Sequence, residues 1–194
     1  MLTAFQLSAF VSGMSRFVPD CATTQPRTYQ TVSPPEQDVG VPNWADFEAA
    51  EPELAEFGAK LFDRFDGLAY IGTVRVGDGA PRVHPVCVWR ARGRLFLSVG
   101  GGSPKQHDLR TDGRYVVHAL PGKDDGEFRL RGRAREVTDA ATTDWARSAG
   151  REYGMNFSDD ELLFELDIDE AHTAVWVNVG QPGTYATRRS WRAG

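Results

Sequence analysis

Apolar and polar positions along the chain change rhythm near residue 67. From Trp44 onward, Trp44, Phe47, Leu54, Phe57, Leu61, Phe62 and Phe65 recur at near-helical spacing, with Pro52 placed where a first-turn proline is tolerated. This predicts an amphipathic helical segment ending near Gly67, its aromatic stripe facing a core. The period then shortens to two. LAYIGTVRV breaks at VGDGAP, where Asp78-Gly79 between apolar-rich runs signals a hairpin, and PRVHPVCVW is the returning strand. A turn at 91–93 leads into RLFLSV, so three antiparallel strands follow one another as a meander. After the glycine-rich GGGSPKQHDLR, the strands RYVVHAL and EFRLRGRAREV resume the alternation. A helix is predicted over 139–151, and LLFELDI, HTAVWVNV and GTYATRRSW are three more strand candidates. Many antiparallel strands, few helices and no βαβ alternation predict a mainly β fold, a small β-barrel with peripheral helices.

Residues 1–43 lack this order. They carry Pro19, Pro26, Pro34, Pro35 and Pro42 among many Ser, Thr and Gln, and are expected to form an irregular tail ahead of a domain spanning 44–194. MLTAFQLSAFVSG has no Lys/Arg n-region and no A-x-A site, which argues against a secretory signal. A start codon assigned too far upstream is the alternative, with the working protein beginning near 39–43. At 194 residues there is room for one domain and a tail.

Composition removes several function classes. No run approaches the ~18 apolar residues of a spanning helix, so no membrane partner is expected. The net charge of −5 argues against a general nucleic-acid binder. Cys21 and Cys87 form neither a disulfide framework nor a zinc pattern, consistent with a reducing, cytoplasmic setting. His84, His107, His118 and His172 show no metal-ligand spacing, no G-x-S-x-G is present, and no catalytic or metal-binding side chain is assigned. Cys87 is expected to be packed. Arg supplies 19 of the 22 basic residues, either a genomic bias or a sign of planar anion recognition.

The candidate chemistry centres on GGGSPKQHDLR. Glycines let the backbone approach a ligand, Ser103 fits an N-cap, Pro104 the first helical position, and Gln106 completes a capping-box spacing. A helix start offers open N–H groups and partial positive charge. Lys105 in that first turn opposes the dipole unless an anion sits there. The loop does not match a P-loop. In FRLRGRARE, Arg129, Arg131, Arg133 and Arg135 project from one strand face, either solvated or lining an anion groove. Arg90, Arg92 and Arg94 read as a solvated loop.

With these residues in place, the chain over 44–192 resembles the pyridoxamine 5′-phosphate oxidase-like superfamily of FMN-binding split β-barrels. The resemblance rests on PRVHPV, RLFLSV, GGGSPKQHDLR, DGRYVVHAL and FRLRGRAREV in that order. It implies a homodimeric oxidoreductase with FMN, or F420, at the subunit interface and hydride transfer to or from a small organic substrate. Arg82, Val83, His84, Pro85 and Val86 would run along the flavin and its phosphate arm. Ser98, Val99, Ser103 and Lys105 would contact ribityl and phosphate, and Trp191 and Arg192 would reach the partner's flavin. Cys87 stands where oxidases carry Lys, and the C-terminal pattern that holds pyridoxal phosphate is absent, which argues against vitamin B6 oxidation. A non-catalytic heme- or flavin-binding protein is the alternative, and the Arg face would suit the acidic tail of F420.

Overall fold

The computed structural model describes residues 41–121 and 125–194. Most of the expected tail, including Cys21, lies outside them. Two helices open the described chain, α1 (Trp44–Ala50) and α2 (Pro52–Asp63), where the spacing predicts one segment. The break falls at Glu51, whose backbone leaves the helical region (φ −138°, ψ 68°) because the ring of Pro52 disfavours helical geometry in the residue before it. Asn43 and Asp46 cap α1 reciprocally.

Seven strands follow: β1 (Leu68–Val74), β2 (Pro81–Ala91), β3 (Arg94–Val99), β4 (Arg114–Ala119), β5 (Glu127–Glu136), β6 (Leu162–Val177) and β7 (Tyr185–Arg192). Helix α3 (Pro104–Thr111) joins β3 to β4, and α4 (Ala140–Glu152) joins β5 to β6. Neighbours run β3-β2-β1-β4-β5-β6, all antiparallel, and β6 pairs back onto β3, closing a six-stranded barrel. Two of the expected C-terminal strands are one, because β6 runs unbroken for 16 residues. One of its edges serves two partners in turn, β3 over 162–165 and β7 over 170–177, and there the barrel splits.

The predicted aromatic stripe does face the core. Phe128 of β5 sits at its centre, 5.5 Å from Phe62 and 6.3 Å from Phe47 between ring centroids, with Trp44 at 6.5 Å. Phe65, the last member of the stripe, is exposed instead. A second cluster, Trp89, Phe96, Ala146, Tyr153 and Leu163, fixes α4 to the outside of the barrel, and the Trp89 indole donates to the Ala146 carbonyl at 2.9 Å.

The four β5 arginines do share an exposed face. A one-residue register shift between Arg131 and Gly132 decides what they meet. Arg131 lies across from Glu170, but Arg133 and Arg135 lie across from Asp167 and Glu165, so the outward parity of β6 switches at Asp169. Without that bulge, Glu165 and Asp167 would point opposite to Glu170. With it, Arg131 pairs with Glu170 and Arg135 with Asp167, each at distances below 3 Å.

Of Arg90, Arg92 and Arg94, expected as a solvated loop, only Arg92 at the hairpin turn is exposed. Arg90 grips Asp63 with two bonds of 2.8 and 3.0 Å, Arg92 lies over the Trp145 ring, and Arg94 is bidentate on the buried Glu165. The last pair locks β3 to β6 at the barrel seam. Arg94→Met should cost about 3 kcal/mol, since it leaves Glu165 buried with only Arg135 at 3.5 Å. Adding Glu165→Leu should return much of that loss. Urea unfolding measures both, and a single-variant loss below about 1 kcal/mol would show the pair to be dispensable.

Candidate functional site

Helix α3 starts where the sequence places it, but without the expected capping box. Ser103 has extended cap geometry (φ −67°, ψ 130°) and Pro104 is first in the helix, yet the Ser103 hydroxyl makes no cap bond, and the Gln106 N–H goes to the Ser103 carbonyl at 2.9 Å. Gly102 adopts φ +73°, a conformation natural to glycine.

Strand alternation divides the residues assigned by resemblance. Arg82, His84 and Val86 share one face of β2, whereas Val83 and Pro85 point outward and are exposed. Val86 and Val99 are core residues, 6% and 0% exposed, so only their backbone could touch a ligand. Ser98 donates its hydroxyl to Glu161 at 2.5 Å and is already engaged. The groups the structure brings together are Arg82, His84 and Lys105.

Asp108 organises that trio. It is 3% exposed, accepts from the Thr73 hydroxyl at 2.9 Å and the Val76 N–H at 3.3 Å, and stands 3.4 Å from the Arg82 guanidinium. The charges of Lys105, Arg82 and Asp108 thus converge on the His84 imidazole. Burial lowers the pKa of His84, and the charges of Lys105 and Arg82 lower it further against the opposing pull of Asp108. Burial also lowers that of Lys105. The His84 Nε2 atom is buried with no hydrogen-bond partner among the described residues. An orphaned ring nitrogen beside two under-compensated cations at a helix start fits an oxyanion, which would accept the open donors and relieve the repulsion.

Two further acids reach this region without any local sequence signal. Asp160 accepts the Gly101 N–H at 3.1 Å, and a Cβ on Gly101 would collide with that carboxylate at 2.4 Å. Asp160 and Glu161 come from the turn before β6, some 60 residues away, and no local pattern marks them. For Asp108 the only signal was an acid adjoining the apolar Leu109 in a short helix.

A second concavity of about 410 Å³ opens on the outer face between β4, β5 and β6, lined by His118, Pro121, Asp125, Glu127, Trp176 and Val179. His118 holds its Nδ1 2.7 Å from the Ala119 carbonyl, an arrangement that puts the proton on Nδ1 and leaves Nε2 as the free nitrogen of the neutral ring. The Trp176 indole donates to Glu127 at 3.2 Å. Trp191 and Arg192, expected to reach a partner's cofactor, are otherwise occupied: Trp191 packs 5.2 Å from Phe47, and Arg192 binds Glu170 at 2.8 Å. Trp176 is the aromatic side chain near the C-terminus that opens onto a cavity. Among the described residues no set of three His, Cys, Asp or Glu could hold a metal, and no helix is long and apolar enough to cross a membrane.

No family model matches the chain, and no curated protein does. Solved structures share its fold. A protein related to general stress protein 26 (pyridoxinephosphate oxidase family) from Clostridium acetobutylicum superposes with TM-score 0.52 and 13% identity over 76% of this chain and 95% of that one. A candidate 5-nitroimidazole antibiotic resistance protein from Bacteroides thetaiotaomicron gives TM-score 0.53 and 14% identity, covering 69% and 85%. A heme-binding protein from Mycobacterium smegmatis gives 0.49 and 17%; the alignment covers 67% of this chain and 56% of that one. The split barrel expected from the sequence is the fold observed.

Proposed function

We propose that this protein is an oxidoreductase that binds a phosphate-bearing flavin, FMN or the deazaflavin F420, and works on a small organic substrate. The observation that carries this reading is the Arg82, His84 and Lys105 cluster, with its orphaned Nε2, at the α3 start of a split barrel. Arg82 and Lys105 would neutralise the phosphate, His84 would donate to it, and the open N–H groups of the α3 start would complete the cradle. The cofactor, when bound, supplies the hydride chemistry. The chain supplies position and charge, and His118, its Nδ1 held by the Ala119 carbonyl, presents its ring to the outer cavity.

The working form is proposed to be a homodimer. Leu68, Tyr70, Val83, Pro85 and Val116 stand side by side on the outer face of β1, β2 and β4, with Tyr70 51% and Val83 66% exposed, and Cys87 is exposed among them rather than packed. An apolar face of this kind is a natural surface for a second copy. Sedimentation should give a dimer, and Tyr70→Glu should dissociate it.

Cofactor titration followed by fluorescence tests the function. FMN or F420 should bind at micromolar affinity or better. Binding of neither, or a Soret band on adding heme that vanishes in a single histidine variant, would overturn the flavin reading.

A further inference from the structure

Seven arginines lie on β5 and β7, and five are committed within the chain. Arg131 and Arg192 share Glu170, Arg133 donates to the Asp112 carbonyl, Arg135 binds Asp167, and Arg189 binds Glu51 and Glu53. Arg129 and Arg188 have no carboxylate or carbonyl partner among the described residues.

These two lie on either side of β6. In the sheet register, His118 lies opposite Arg129 and Arg129 opposite His172; on the next rung Glu127 lies opposite Ala174, and Ala174 opposite Arg188. Directly opposed side chains stand ~5 Å apart and diagonal ones within reach of a guanidinium. The uncommitted cations therefore flank His172 and adjoin His118 and Glu127, which line the outer cavity. Burial lowers the pKa of His172, Arg129 and Arg188 lower it further, and Glu170 and Glu127 pull the other way. Both acids are engaged elsewhere, Glu170 by two arginines and Glu127 by the Trp176 indole.

We propose that Arg129, His172 and Arg188 form a subsite for the oxyanion end, carboxylate or phosphate, of a small molecule whose body fills the cavity bordered by His118, Glu127 and Trp176. Its role as anchor of an anionic substrate rests on the proposed oxidoreductase function; the binding itself rests on the geometry alone. A guanidinium pair flanking an imidazole suits a bidentate oxyanion, and Trp176 offers a face to a planar body.

The test uses the full chain, with and without FMN, and follows the His172 ring by NMR, assigned through His172→Gln. Succinate and inorganic phosphate are titrated separately, with His84 reporting the α3 site. The expected result is a saturable shift of His172 and a rise in its pKa with at least one anion; succinate alone marks a carboxylate substrate, phosphate alone a phosphate ester. Arg129→Ala/Arg188→Ala should weaken this binding about tenfold or more while leaving FMN affinity unchanged. An unresponsive His172, or one that responds equally in the double variant, would overturn the subsite. Failure of both FMN and F420 to bind while His172 still responds would overturn the oxidoreductase reading and leave the subsite standing.

Discussion

Gly132→Ala is expected to destabilise the barrel severely. A Cβ at that position would stand 1.9 Å from the Asp167 carbonyl oxygen, 2.9 Å from its carbonyl carbon and 3.1 Å from the Asp169 nitrogen. All three are backbone atoms, so no side chain can swing aside. The site is the β5–β6 bulge, and the same Asp167 carbonyl accepts the buried Tyr115 hydroxyl at 2.9 Å. Moving the carbonyl to admit a methyl group breaks that bond and shifts β6 where Asp167 meets Arg135. The cost should exceed about 4 kcal/mol, in the range that follows from backbone strain combined with loss of a buried network. At the scaling for a domain of this size, that lowers the melting temperature by more than about 8 °C. Circular dichroism melts decide it: a cooperative transition within a few degrees of the parent would show that the bulge can open cheaply.

Arg82→Ala/Lys105→Ala is the second variant with a large expected effect, on binding rather than folding. Each charge-assisted bond to a phosphate contributes about 1.5 to 3 kcal/mol, so each single change should weaken cofactor binding roughly tenfold to a hundredfold. The pair should lose less than the product, because both side chains address one anion. Folding should survive, since Asp108 keeps Thr73 and the Val76 N–H after Arg82 is gone. The same cluster predicts a pH dependence. The pKa of His84 is lowered, so the neutral ring is favoured and the proton is gained at a lower pH than in an ordinary histidine. A bound oxyanion favours the charged ring, so binding takes up a proton and strengthens as pH drops. Sulfate, whose own charge stays constant there, is the suitable probe. Its affinity should rise from pH 8 to pH 5.5 in the parent and much less in His84→Gln. Full cofactor affinity in the double variant, or a flat sulfate profile, would remove the cluster from the phosphate site.

Local signals carried most of the fold. The strands β1 to β5, α4 and the core-facing aromatic stripe were all visible as periodicity or turn chemistry, because each depends on residues close in sequence. What escaped depended on long-range pairing. The continuity of β6 was hidden because the bulge near Asp169 flips its alternation midway, making one strand look like two. The ion pairs of Arg90 and Arg94 were hidden because Asp63 and Glu165 lie 27 and 71 residues away. At the candidate site, the Lys105 clue was local and legible, but the same spacing overstated Ser103 as a cap. Asp108, the group that assembles Arg82 and His84 beside Lys105, reaches across to β1, and no spacing rule marks it.

Every strand of the closed barrel has at least two hydrogen-bonded neighbours, whereas β7, among the described residues, pairs only with β6. Its far edge therefore presents a row of open backbone groups, a template on which a stray strand could polymerise. That edge strand carries Arg188, Arg189 and Arg192 among eight residues. Guanidinium groups there repel an identical strand arriving from another molecule. Part of the arginine excess can thus be read as protection of the sheet against unwanted growth, and a chain with those three positions made neutral should aggregate sooner on mild heating.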